Sequence, residues 1–205
     1  MNSENIFLLS PAKLSGKRGK MLFNPEARFA LARALRSPQG AALGEVFSFV
    51  SGLYFRGKAT YAVAFSGSTA TAGPWVITPG GGLCKLTEPV TIQRLAGWQQ
   101  VSVDESNPHF TAPLARHVSE LLDATSEATR FVLLGSVASK KYVVPLLELL
   151  GTRLLYPSRF QGMGDMSRGA LLLRCARAHE ESEVIPTTAS VERWHVACTT
   201  AELRR

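Results

Sequence analysis

Four short apolar runs, at residues 6–9, 75–78, 131–134 and 154–156, each break off into Pro, Gly or Ser. Apolar runs of this length, without polar alternation, are the pattern of strands buried on both faces of a parallel sheet. Stretches with helical spacing lie between them. Strand and helix in alternation predict one three-layer α/β domain around a mainly parallel, about four-stranded sheet. Ligands of such sheets bind beyond the carboxyl ends of the strands. Here those ends carry residues 10–13, 78–82, 135–136 and 162–168, which are therefore where a site is expected.

The helices follow from local signals. Pro25 opens one to about Arg36, and residues 10–20 before it read as a polar, basic loop. A second helix is expected over 41–54, closed by Phe55, Arg56, Gly57 and Lys58 with positive charge at its favourable end. Residues 61–65 fit helix or strand, and 66–73 a mobile loop. Residues 83–110 look irregular apart from a short helix at 92–98. Further helices are expected at 113–123, at 139–150 with Gly151 as C-cap, and at 170–178. The α/β domain is expected to span 1–185, with 186–205 as a loosely attached tail.

Composition narrows the function classes. With 205 residues the chain can bury its own core. No apolar run approaches the length of a spanning helix, and the first residues lack a basic leader, so the expectation is a cytoplasmic monomer away from membranes. Cys84, Cys175 and Cys198 are far apart and odd in number, which suits a reducing compartment. The four histidines show no metal-ligand spacing; neither a metal nor a cofactor is expected. There is no phosphate loop of the NTPase type and no G-x-S-x-G elbow. Gly162-x-Gly164-x-x-Ser167 only partly matches a dinucleotide fingerprint. The chain carries 23 Lys and Arg against 16 Asp and Glu. Seven of those cations but only two acids lie in residues 1–36. That asymmetry points to a polyanion, nucleic acid first and a nucleotide second.

The stretch 162–169 holds three glycines around Asp165, Ser167 and Arg168. Asp165 reads either as the carboxylate of a site or as a helix N-cap. Glu45 competes with it, as a partly buried acid or as an exposed first-turn residue. Ser10, Lys13, Arg56, Lys58, Ser136, Lys140, Lys141, Ser167 and Arg168 are candidate ligands of phosphate or DNA. Lys140 and Lys141 stand where a helix begins, and cations there oppose its dipole unless an anion joins them. Lys13 also fits a Schiff-base nucleophile or a solvated loop lysine. Tyr54, Phe55, Tyr61 and Phe110 are candidates for stacking on a base, or for the core.

Leu8-Leu9-Ser10-Pro11-Ala12-Lys13, Ser51-Gly52-Leu53-Tyr54, and the run from Ile77 to Leu83 followed by Glu88-Pro89-Val90 resemble the YaaA-type peroxide-stress proteins and related bacterial domains. Gly135-Ser136 with Lys140-Lys141-Tyr142, and the 162–169 stretch, resemble later landmarks of that set. The resemblance covers about residues 6–175; the chain is shorter than the YaaA pattern, and its tail from Glu180 has no counterpart. It implies a DNA-binding α/β protein, related to enzymes that excise modified bases from phage DNA. The expected activity is therefore a DNA glycosylase acting on a modified base, such as a glucosylated hydroxymethylcytosine, in defence against phage. Asp165 would be its carboxylate and Glu45 the competitor. The alternatives are a non-catalytic DNA-binding stress protein, and a nucleoside or ribosyl transferase acting on free nucleotides.

Overall fold

The computed structural model describes residues 4–67, 69, 71–137 and 139–188. Its centre is a six-stranded, mostly parallel sheet. The four expected strands are β1 (Asn5–Leu9), β3 (Trp75–Thr78), β6 (Arg130–Leu134) and β7 (Leu154–Pro157), and they lie side by side in parallel in the order β3-β1-β6-β7. Two antiparallel edges raise the expected count from four to six: β4 (Gly82–Lys85) on β3, and β8 (Val184–Pro186) on β7. β4 has no strand signal in the sequence because Gly80, Gly81 and Gly82 read as a loop opener, whereas they turn the chain back on itself. β2 (Ala41–Ala42) and β5 (Pro89–Val90) form a separate small pair.

Successive side chains of a strand face opposite sides of a sheet. Phe7, Leu9, Val76, Val132, Leu134 and Leu155 accordingly join one core with α3 (Leu43–Ser51), α4 (Leu53–Phe65) and α8 (Asp165–Ala178). Ile6, Leu8, Ile77, Phe131, Leu133 and Leu154 join the other, with α6 (Pro108–Asp123) and α7 (Lys140–Leu150). Burial on both sides is why these strands read as unbroken apolar runs.

Several boundaries differ from the expectation. Residues 10–20 are not all loop: α1 (Lys17–Phe23) begins inside them, because Gly19 packs on the Leu14 backbone, where a Cβ would lie 1.7 Å from the Leu14 oxygen. The helix expected from Pro25 is only α2 (Ala30–Arg36). The helix expected over 41–54 is split by Gly52, whose φ of 64° ends α3 and starts α4. Phe55 to Lys58 therefore lie inside α4 rather than at a helix end, and residues 61–65 complete it. α5 (Ile92–Gln99) is the short helix expected there. α6 starts five residues before Pro113, at Pro108, with the Asn107 side chain accepting from the His109 N–H. α8 begins at Asp165, so five of the eight residues of the glycine stretch are helical. Pro186 belongs to β8 and the Thr187 N–H bonds the Leu154 carbonyl, which ties the start of the expected tail to the sheet. Residues 189–205, with Cys198, lie outside the described residues.

Candidate functional site

Chain order and spatial order disagree at one place in the parallel strands. From β1 the chain crosses to β3 on one side, then returns to β6 on the other. Such a switch point leaves a crevice beyond the strand ends. The Ser10 N–H bonds the Leu134 carbonyl there, which joins the end of β1 to the end of β6.

A cavity of about 510 Å³ opens at this point. Six of the predicted residues line it: Ser10, Lys13, Tyr54, Ser136, Lys141 and Asp165. They come from five separate stretches of chain. α7 and α8 both present their first turns to the cavity, through Ser139, Lys141 and Asp165. Free N–H groups of helix N-termini favour anions. A neighbouring cleft of about 650 Å³ shares Lys13, Lys141 and Tyr142 with the cavity and is walled by Pro79, Trp98 and Val101.

A close helix crossing places Asp165 beside Tyr54. At Gly57 of α4 and Gly169 of α8 the two backbones meet, and a Cβ on Gly169 would lie 2.8 Å from the Tyr54 Cα. Asp165 is not an N-cap: Gly164 holds that position, and Asp165 is the first helical residue. Its carboxylate is largely exposed and lies 3.5 Å from the Arg168 guanidinium, one turn on. Arg168 is buried, and its Nε donates to the Phe160 carbonyl at 3.2 Å. It props the acid from behind rather than facing the cavity.

Tyr54 is buried, and its hydroxyl has no hydrogen-bond partner among the described residues; Arg168 stands near it outside hydrogen-bond geometry. Burial pushes the Tyr54 phenol up to about 12, against the pull of Arg168. The phenol stays protonated at neutral pH, a donor without an acceptor at the cavity wall. Behind it, Lys58 is fully buried, with its Nζ 4.5 Å from the centre of the Tyr54 ring and 5.0 Å from that of Phe55. It donates to the Ser10 carbonyl at 2.5 Å and to Ser10 Oγ at 2.9 Å. Burial draws its amine down to about 7, and the Asp165 carboxylate opposes that shift.

The remaining predicted residues lie elsewhere. Glu45 is exposed in the first turn of α3 and does not line the cavity. Arg56 and Ser167 are exposed on α4 and α8, and Lys140 on the first turn of α7. Phe55, Tyr61 and Phe110 are core: they pack edge-on against Phe47, Phe7 and Tyr142 respectively, so no base can stack on them. Sequence reasoning missed Ser139, Tyr142 and Trp98. Tyr142 directly follows Lys141, so an aromatic signal is present beside the cation; Trp98 closes the short helix expected at 92–98, and nothing in that pattern says it faces a cleft.

Among the described residues no group of three or more His, Cys, Asp or Glu is placed to hold a metal, and no helix is long and apolar enough to cross a membrane. Comparison with known proteins finds no matching family model, no curated relative and no solved structure.

Proposed function

We propose that this protein is a DNA glycosylase that excises a modified base, working as a cytoplasmic monomer in defence against phage. The observation that carries the reading is the cavity itself: it brings one solvated carboxylate, Asp165, together with the hydroxyls of Ser10 and Ser136 and the cations Lys13 and Lys141. In a three-layer reading of the fold, the cavity crowns the sheet between the two helical layers.

The inventory fits cleavage of an N-glycosidic bond. As the bond from C1′ to the base nitrogen breaks, its electron pair leaves with the base and the sugar gains positive charge. Asp165 stabilises that charge and accepts a proton from the attacking water. The target nucleotide has to be flipped out of the duplex to reach the cavity. The adjoining cleft with Trp98 gives room for a substituent on the base, such as the sugar of a glucosylated hydroxymethylcytosine.

The DNA path follows unpaired charge. The cavity shares Lys13 with the cleft, and the cleft shares Ser15 with a groove of about 420 Å³ lined by Lys17, Lys20 and Met21. Among the described residues none of Lys13, Lys17, Lys20, Lys140 and Lys141 is in an ion pair. Cations outside ion pairs, Lys13 and Lys141 at the site and Lys17 and Lys20 in the groove, are what a phosphate backbone requires.

The test is base release by Asp165→Asn and Glu45→Gln. Asp165→Asn should lose release while DNA affinity persists, and Glu45→Gln should keep both. The reverse pattern would move the chemistry to α3.

A further inference from the structure

We propose that Ser10 and Lys58 form a proton relay that protonates the departing base, a step that rests on the glycosylase reading above. A base leaves more readily when an acid protonates it, and the carboxylate on the sugar side cannot serve as that acid. Lys58 is 1% exposed and does not line the cavity. Ser10 lines it, and its Oγ lies 2.9 Å from Lys58 Nζ. The other polar neighbour of that hydroxyl, the Leu134 carbonyl, is distant at 3.4 Å. Gly135 leaves the hydroxyl its room, since a Cβ there would lie 3.1 Å from Ser10 Oγ. The second bond from Lys58, to the Ser10 carbonyl, holds the amine in place while the first one works.

The groups facing the amine set its behaviour. From its own helix come the Tyr54 and Phe55 rings, and from α8 comes the Asp165 carboxylate; the Arg168 guanidinium of α8 and Tyr142 of α7 lie near Tyr54. Burial dominates and brings Lys58 to about 7, with Asp165 working against it. A proton donor of that strength is matched to neutral pH.

The step balances. The bond from C1′ to the base breaks and its electron pair goes to the base. Ser10 Oγ passes its proton to the base and takes one from Lys58 Nζ, leaving a neutral amine. Water adds to C1′ and gives a proton to Asp165; exchange with solvent then restores both groups. Ser10 is the catalytic residue that touches the base, and Lys58 is a positioning residue that acts through it.

The experiment is single-turnover release from modified phage DNA as a function of pH, with wild type, Lys58→Met and Ser10→Ala. The wild-type rate should fall as pH rises through about 7, where Lys58 gives up its proton. With DNA saturating, both variants should release base about 100-fold more slowly and lose that fall. Ser10→Ala keeps the carbonyl that holds Lys58, so it tests the relay with the buried amine still in place. A fall with pH that survives in Ser10→Ala would overturn the relay alone. No release by wild type from any modified DNA would overturn the glycosylase reading and the relay with it.

Discussion

Gly57 and Gly169 meet backbone to backbone: a Cβ on Gly57 would lie 2.6 Å from the Gly169 carbonyl oxygen. This contact sets the distance between α4 and α8, and so brings Asp165 over Tyr54 and Lys58. Gly97 of α5 is also helical, but a Cβ there meets nothing within 4 Å. The two kinds of glycine predict opposite signs. Gly169→Ala should destabilise by about 1–3 kcal/mol through overpacking, and Gly97→Ala should stabilise by up to about 1 kcal/mol through helix propensity. Urea denaturation of the two variants checks both.

Asp165 sits at the first position of α8 without capping it, so it supports stability only through the helix dipole, Arg168 and its pull on the buried Lys58 amine. Asp165→Asn should cost about 0.3–1 kcal/mol. Thermal melts would show a small shift beside a large loss of base release. A large drop in stability would mean that the carboxylate is structural.

Lys58 gives stability a pH dependence of definite sign. Its amine titrates near 7 when folded, against an ordinary value near 10.5. Below about 7 both states carry the proton, and the folded state holds a buried charge. Between those values only the unfolded chain stays protonated, so stability rises with pH across the window. Lys58→Met should abolish that rise and be more stable than wild type at pH 6, read by denaturant midpoints at several pH values.

Lys17 and Lys20 project from α1 beside Met21, which is 45% exposed. As phosphate contacts they govern affinity without reading sequence. Lys17→Gln with Lys20→Gln should weaken DNA binding and reduce the slope of log affinity against log salt by about 2. Fluorescence anisotropy at several salt concentrations measures it. An unchanged slope would place the DNA elsewhere.

The parallel core of the sheet was legible because strands buried on both faces carry an uninterrupted apolar code. The edge strands were not: β4 opens on a glycine turn, and β8 is three residues, Val184 to Pro186, with no pattern of its own. Strand ends bring functional groups together, which is why Ser10, Ser136 and Asp165 were found as a set. Lys58 carries the same sequence signal as Arg56, a cation beside Gly57, yet it points inward while Arg56 points out. Only the packing of α4 against β1 and α8 decides that. Phe55, Tyr61 and Phe110 show the same limit, since an aromatic that packs in the core and one that faces a ligand look alike in sequence.

The central claim is excision of a modified base, and one assay addresses it most directly. Purified protein is incubated with unmodified DNA and with phage DNA carrying glucosylated hydroxymethylcytosine, and the products are examined for free base by mass spectrometry and for alkali-labile abasic sites. Both products are expected from the modified DNA and neither from the unmodified. Tight, salt-sensitive binding to both DNAs with no base released from either would contradict it and leave a DNA-binding protein without this chemistry.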